Sequence, residues 1–185
     1  MRIIGGKYKG LAIRPPAWFK ARPTTDRARE ALFNILAHST GIEDKKVLDL
    51  FSGSGAVSIE FLSRGAESVS SVEKDAKSAD FIQGLLKQYG NPSCRVYESD
   101  ALKFVLETPE RFDIIFADPP YHWAGYHQLV EEIMKNELLN PGGWLIVEHM
   151  LGFHLHHETW VELRVYGQSV FSFFRPLTGL LEVDS

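Results

Sequence analysis

Hydrophobic and polar positions change their period twice along this 185-residue chain. Residues 2–14 alternate short apolar stretches, Ile3-Ile4 and Leu11-Ala12-Ile13, around Gly5-Gly6 and Tyr8-Lys9-Gly10. That is the pattern of a small hairpin, which Pro15-Pro16 ends. Thr24 or Thr25 then precedes Ala28, Ala31, Leu32, Ile35 and Leu36, whose helical spacing predicts a capped amphipathic helix of about 14 residues. From Lys46 onward, short β-branched or apolar runs alternate with helical stretches. Strands are predicted at 47–51, 68–72, 94–97, 112–117 and 144–148, with helices at 56–64, 75–89, 101–106 and 126–136. Strands joined by crossover helices make a parallel sheet covered on both faces, the doubly wound α/β class. Residues 159–166 and 169–174, separated by Gly167-Gln168, predict a closing hairpin antiparallel to the rest, and 176–185 read as a loose tail. The chain thus divides into a hairpin-helix extension (1–40), a core (41–175) and a tail (176–185), with no internal repeat.

Composition narrows the class. Hydrophobic residues are 44% and charged residues 24% of the chain, the mix of a globular protein and not of a disordered one. Apolar runs stop at a few residues, as in Trp144-Leu145-Ile146-Val147, whereas a bilayer span needs about 20. No apolar stretch of signal-peptide length follows the basic start, and Cys94 is the single cysteine, so neither secretion nor a disulfide framework is expected. A cytoplasmic protein is the expectation, with no membrane partner and no obligate protein partner evident. The net charge of −4 conceals an asymmetry. Residues 1–29 hold eight basic side chains against Asp26 alone, a balance of +7, and the remaining 156 hold twelve basic against 23 acidic, a balance of −11. A localised basic face on an acidic body is the footprint of phosphate binding.

The first strand of the core runs through Asp49 into Ser52-Gly53-Ser54-Gly55 and then a helix. Ligands of open α/β sheets bind at such strand ends, and glycine there admits positive φ and close approach to the backbone. A dinucleotide fingerprint would place a third glycine at position 58, which is Ser, and no Lys-Ser or Lys-Thr phosphate loop exists. What remains is a series of acids at successive strand ends. Glu73, 24 residues after Asp49, suits two vicinal ribose hydroxyls, or else is a solvated charge opening the next helix. Asp100 caps the helix that follows it, or accepts from the exocyclic amine of an adenine. Acids without a basic phosphate cradle suit a nucleoside whose attachment is cationic, as in S-adenosylmethionine.

The fourth strand runs into Asp118-Pro119-Pro120-Tyr121. Two prolines fix the backbone and cannot donate, so the Asp118 carboxylate and a carbonyl beside Pro119 can converge as acceptors on one amino group. Tyr121 offers a face for base stacking, worth about 1–3 kcal/mol in single-stranded recognition. Acceptors holding the hydrogens of an exocyclic amine favour its pyramidal, nucleophilic form and pre-position it for methyl transfer.

Over about residues 1–175 the order of segments resembles the bacterial 16S ribosomal RNA guanine-N2 methyltransferases of the RsmD type. The resemblance rests on Arg2-Ile3-Ile4-Gly5-Gly6 with Lys9-Gly10, on Arg22 through Asn34, on Asp49 to Gly55 with Leu62-Ser63-Arg64-Gly65-Ala66, on Asp118 to Tyr121, and on Tyr166-Gly167. Ser52 stands where that family usually has Ala, and Ser58 where Gly is common. The resemblance implies a Rossmann-like class I methyltransferase fold, a seven-stranded, mostly parallel sheet with helices on both faces and an N-terminal hairpin-helix extension. It implies S-adenosylmethionine as cofactor, held by Asp49, Phe51, Gly53, Gly55, Glu73, Lys74, Asp100 and Ala101, with Thr24 and Arg29 in the wall over its methionine part. Asp118, Pro119, Pro120 and Tyr121 would receive the guanine amino group, and Arg2, Lys7, Lys9 and Arg14 would meet phosphates of 16S ribosomal RNA or of the small ribosomal subunit.

The expected reaction is direct in-line transfer of a methyl group to the 2-amino group of a guanine. The rivals are a DNA amino-methyltransferase acting on adenine or cytosine, for whose usual target-recognition region 185 residues leave little room, and a non-catalytic RNA-binding ribosome-assembly factor. His154, His156 and His157 are not read as a metal site, since adjacent residues on a strand face opposite sides. Trp18-Phe19 either stacks on a base or packs the arm on the body, and His122 and Trp123 either line the base pocket or belong to a surface loop.

Overall fold

The computed structural model describes residues 1–19 and 26–177. Thr24 and Thr25, read as a helix cap, and most of the tail lie outside the described residues. α1 spans Asp26–Ser39 and buries Ala28, Leu32 and Leu36 of the predicted stripe together with Phe33, while Ala31 and Ile35 are half-buried. β1 (Lys46–Leu50), β2 (Ser68–Glu73), β3 (Cys94–Glu98) and β4 (Phe112–Ala117) alternate with α2 (Ala56–Ser63), α3 (Ala76–Tyr89) and α4 (Ala101–Glu107). α5 (Tyr126–Lys135), β5 (Leu139–Met150), β6 (Trp160–Tyr166) and β7 (Ser169–Phe174) complete the chain.

The seven strands form one sheet in the order β3-β2-β1-β4-β5-β7-β6. β1 to β5 pair in parallel, and β7 is antiparallel to both β5 and β6, as the closing-hairpin pattern predicts. One face carries α1, α2 and α3 over Val47, Val69, Ile114 and Ile146, and the other carries α4 and α5 over Leu48, Leu50, Ile115 and Val147. Burial on both faces is why these strands read as continuous apolar runs with little alternation. Ile3 and Ile13 belong to the first cluster, so the N-terminal segment is part of that core.

Three local expectations are corrected. The segment 2–14 is a hairpin reduced to a single antiparallel bridge, Arg2↔Ala12, with the Ile3 and Ile13 N–H groups donating to the Leu11 and Met1 carbonyls, because the N–H groups of Ile4, Gly5, Lys7 and Tyr8 turn to Glu60 and Ser63 of α2. β5 starts at Leu139, five residues before the predicted 144, pairing Phe112 and then shifting register before Ile114↔Trp144. Pro141 and Gly142-Gly143 hide this start, yet Gly143 is needed, since a Cβ there would sit 3.0 Å from the Asp113 carbonyl. Residues 153–157, with the three histidines, form a loop and not a strand. His154 stacks on His156, His157 faces Glu131 at 3.3 Å, and no metal-holding cluster exists among the described residues. No described helix is long and apolar enough to cross a membrane.

Candidate active site

The chain leaves β1 toward β2 on one side and returns to β4 on the other, so a crevice opens at the carboxyl ends of β1 and β4. That is the ligand position of doubly wound sheets. A cavity of about 1170 Å³ lies there. It is somewhat larger than the roughly 300–1,000 Å³ of ordinary ligand sites, with room for two bound groups.

The turn from β1 into α2 forms one wall. β1 stops at Leu50, one residue short of the expected 51, because Phe51 turns to φ 62°, a conformation costly for a residue with a Cβ. The turn is held by Ser52, whose N–H and Oγ both donate to the Val72 carbonyl while Oγ also reaches the Asp49 carbonyl. Gly53 (φ 53°) borders the cavity. Gly55 (φ 74°) does not; a Cβ there would lie 2.9 Å from Ile82, so this glycine serves the approach of α2 to α3.

The acids at the strand ends separate by environment. Asp49 is not on the rim, as expected, but on the floor, 1% exposed, with Oδ2 accepting the Ser58 hydroxyl at 2.5 Å. Burial pushes its carboxyl up to about 7 against the hydrogen bonds from Ser58 and Ser52 that favour the charge. Glu73 is half-buried and bridges two turns, Oε2 accepting the Gly53 N–H and Oε1 the Asp75 N–H, both at 2.8 Å. Asp75, not Glu73, caps α3, through Ser78. Asp100 caps α4 by accepting from Leu102 and Lys103, and its other oxygen meets the exposed Lys74 ammonium at 3.3 Å. Burial opposes its charge, but these hydrogen bonds and Lys74 hold its carboxyl below the usual carboxylate range. Lys74, Asp100 and Ala101 all line the cavity.

Opposite stands the turn after β4. The Asp118 N–H reaches toward the Leu50 carbonyl at 3.4 Å, tying the turn to the end of β1. Asp118, Pro119, Pro120 and Tyr121 all border the cavity, in the same wall system as Gly53 and Glu73. The carbonyls of Pro119 and Pro120 are not bare acceptors; the Tyr126 hydroxyl donates to them at 3.2 and 3.5 Å. Burial, reinforced by Asp118, Tyr121 and Glu148, pushes the Tyr126 phenol well above its ordinary pKa and keeps it a donor. Trp123 packs edge-on against Phe51 and Tyr126, joining the two turns through aromatic contacts.

The rest of the enclosure comes from distant chain. Phe19 reaches the turn, its ring 3.6 Å from where a Gly53 Cβ would be, while Trp18 is exposed and stands edge-on to Phe19. Met1, Arg27, Glu148 and the β6–β7 tip at Gly167-Gln168 also border the cavity. Arg27 and Gly167 stood in segments of the resemblance without a site role, and nothing in the sequence marked Met1, Glu148 or Gln168; the antiparallel return of β7, which sets Ser169 opposite Met150, carries the hairpin tip to this edge. Arg29 is buried in the wall, its guanidinium donating to the Arg2 carbonyl at 2.7 Å and to Asp26 at 2.6 Å. Thr24 lies outside the described residues. Arg2, Lys7, Lys9 and Arg14 are exposed on the N-terminal segment. Burial pushes the Cys94 thiol up to about 12, and Cys94 lies away from both turns.

The family model described as Conserved hypothetical protein 95 matches residues 1–175. Ribosomal RNA small subunit methyltransferase D of Escherichia coli strain K12 is 40% identical over 153 residues, 82% of this chain and 72% of that protein. The protein of the same name from Haemophilus influenzae is 32% identical over 152 residues, 80% of this chain and 78% of its own. Among solved structures, yhhF of Escherichia coli superposes with a TM-score of 0.84 at 31% identity, covering 95% of this chain and 98% of its own.

Proposed function

The chain belongs to the Conserved hypothetical protein 95 family, and from that premise we propose that it transfers a methyl group from S-adenosylmethionine to the exocyclic 2-amino group of a guanine in 16S ribosomal RNA. One observation carries the reading: the Asp118-Pro119-Pro120-Tyr121 turn and the hydrogen-bonded pair Gly53 and Glu73 line one cavity at the switch point of the sheet.

The donor set fits the cofactor. Asp49, Glu73, Asp75, Asp100, Asp118 and Glu148 border the cavity against Arg27, Arg29 and Lys74, an excess of acid that favours a cationic ligand. Each Glu73 oxygen accepts one backbone N–H and keeps a lone pair for a ribose hydroxyl. α2 is preceded by Gly55, which offers no side-chain cap, leaving its first-turn N–H groups and positive dipole end for a carboxylate. Arg29 gives one terminal nitrogen to Arg2 and Asp26 and braces that wall, while its buried Nε has no partner among the described residues. Bound there, S-adenosylmethionine supplies an electrophilic methyl group on a sulfonium and departs as a neutral thioether.

The chain's residues do the rest. A guanine leaves its stack to enter the cavity, since its amino group is out of reach within a helix. Tyr121 offers the stacking face, and Asp118 accepts from the amino hydrogens and turns the nitrogen lone pair toward the methyl group. As the N–C bond forms, one N–H proton leaves for Asp118 or water; the amine is strongly acidic at that stage, so a weak base suffices. Pro119 and Pro120, pinned by Tyr126, hold Asp118 in place without competing donors.

The test incubates the protein with radiolabelled S-adenosylmethionine and, separately, small ribosomal subunits, naked 16S RNA and DNA. Label in subunits or 16S RNA, recovered as N2-methylguanine on nucleoside mass analysis, is the expected outcome. Label in DNA alone would reject the substrate class, and label in none would reject the enzyme.

A further inference from the structure

Glu148 enters the reading above only as one of the acids around the cavity, yet it is 2% exposed and stands in its wall. The parallel pairing of β4 with β5 runs through Ala117↔Val147. One step further along that register, Asp118, the residue just past the end of β4, comes next to Glu148 of β5, where the strand pair it continues is spaced about 4.8 Å apart. Alternation along β5 places Glu148 on the face that carries Ile146, the face of α1, and both Glu148 and Asp118 border the cavity. Besides its burial, the Tyr126 hydroxyl that bonds the Pro119 and Pro120 carbonyls feels the negative charge of both Asp118 and Glu148. Two acceptors side by side match a ligand edge with two adjacent donors. The Watson–Crick edge of guanine has that pattern, N1–H next to the 2-amino group. Adenine presents a bare N1 beside its amino group and cytosine a bare N3, each a lone pair that a buried carboxylate repels.

We propose that Glu148 selects the base, its carboxylate accepting the guanine N1–H while Asp118 receives the 2-amino group. This rests on the methyl-transfer reading and adds to it the reason a carboxylate-proline turn, suited to any exocyclic amine, would act on guanine. A site built to bond a substrate N–H rejects an analogue lacking it far more strongly than a pocket that reads shape alone.

2-Aminopurine keeps the 2-amino group and, lacking the 6-oxo group, carries a lone pair at N1 in place of N1–H; comparing it across Glu148 variants separates the N1 contact from the loss of the oxo group. After the modified guanine has been mapped, small subunits are reconstituted with 16S RNA carrying guanine or 2-aminopurine at that position, and kcat/KM for methyl transfer is measured on both. The wild type is expected to prefer guanine by about 100-fold or more. An amide can either accept from N1–H or donate to a bare N1, so Glu148→Gln is expected to reduce that preference at least tenfold (an order-of-magnitude figure). Glu148→Asp, which keeps the acceptor, retains the preference at a lower rate. Equal use of both bases by the wild type overturns the proposal, as does an unchanged preference in Glu148→Gln with undiminished affinity for S-adenosylmethionine. Should Glu148→Gln fail to fold, loss of preference in Glu148→Asp overturns it. Failure of the wild type to methylate the guanine-bearing subunit strikes the methyl-transfer reading itself, a different result from loss of discrimination.

Discussion

Carboxylates at neighbouring strand ends do different work here because their surroundings differ. Asp49 sits beneath the cavity, donated to by Ser58 and lifted to about 7 by burial, whereas Glu73 keeps two backbone N–H donors and a half-buried position. Asp49 has an ordinary carboxyl pKa of 3.8 when unfolded, so between about pH 4 and 7 the native state holds the proton more tightly. Stability from this group therefore falls as pH rises through that window and levels off above it. Asp49→Asn is expected to flatten that decline, and Ser58→Ala, which removes a bond favouring the charge, to carry it to higher pH; melting temperatures from pH 4 to 9 read both. Asp118 and Glu73 are expected to separate chemistry from cofactor binding. Asp118→Ala lowers kcat by a factor on the order of 10² or more with S-adenosylmethionine affinity nearly unchanged. Glu73→Ala weakens that affinity and, by stripping the Gly53 and Asp75 N–H groups of their acceptor, costs about 1–3 kcal/mol of stability. Calorimetric titration and single-turnover rates distinguish them, and equal losses of both quantities in both variants would refute the assignment. Residue type alone could not rank these acids: each is an Asp or Glu after an apolar run, and only packing decides which is covered.

At the scale of elements, the N-terminal segment is held by one side chain of α2. Glu60 is fully buried and accepts from the Ile4 N–H at 2.7 Å, the Gly5 N–H at 2.8 Å and Arg64 Nε at 2.8 Å. Ser63 completes the clamp, donating to the Gly5 carbonyl and accepting from the Tyr8 N–H, and Gly6 passes so close that a Cβ would overlap the Ser63 carbonyl. Breaking such a buried ionic cluster costs about 3–5 kcal/mol. Glu60→Ala is expected to release residues 1–14, seen as amide exchange rising there before the sheet is affected. Unchanged protection of Ile3 and Gly10 would show that the anchor lies elsewhere. The glycines at 5 and 6 were legible as a turn in the sequence, but their partner, 55 positions on, was not. Strand and helix boundaries came within a few residues because turn residues and periodicity act locally. β5 was the exception, its first five residues masked by Pro141 and two glycines.

For the whole molecule, the charge asymmetry lies on a segment docked to the core beside the cavity, with Met1 in the cavity wall and Lys7, Lys9 and Arg14 exposed. Lys7→Ala with Lys9→Ala is expected to weaken RNA binding and to flatten the dependence of log K on log salt by about 0.7–0.9 for each phosphate no longer neutralised. An unchanged slope in filter-binding titrations from 50 to 300 mM salt, on the order of the usual range, would remove this segment from the interface.

The amino-acid sequence by itself determined the α/β class, the parallel core, the closing hairpin, the glycine turn and the Asp-Pro-Pro-Tyr corner. These follow from hydrophobic period and turn chemistry, which neighbouring residues settle among themselves. The tertiary structure alone decided which acids face the cavity, that Tyr126 occupies the proline carbonyls, and that Phe19, Glu148 and the β6–β7 tip enclose the site. Those outcomes depend on strand order and burial, on contacts between segments tens of residues apart, and no local pattern encodes which distant surface will exclude water from a given side chain.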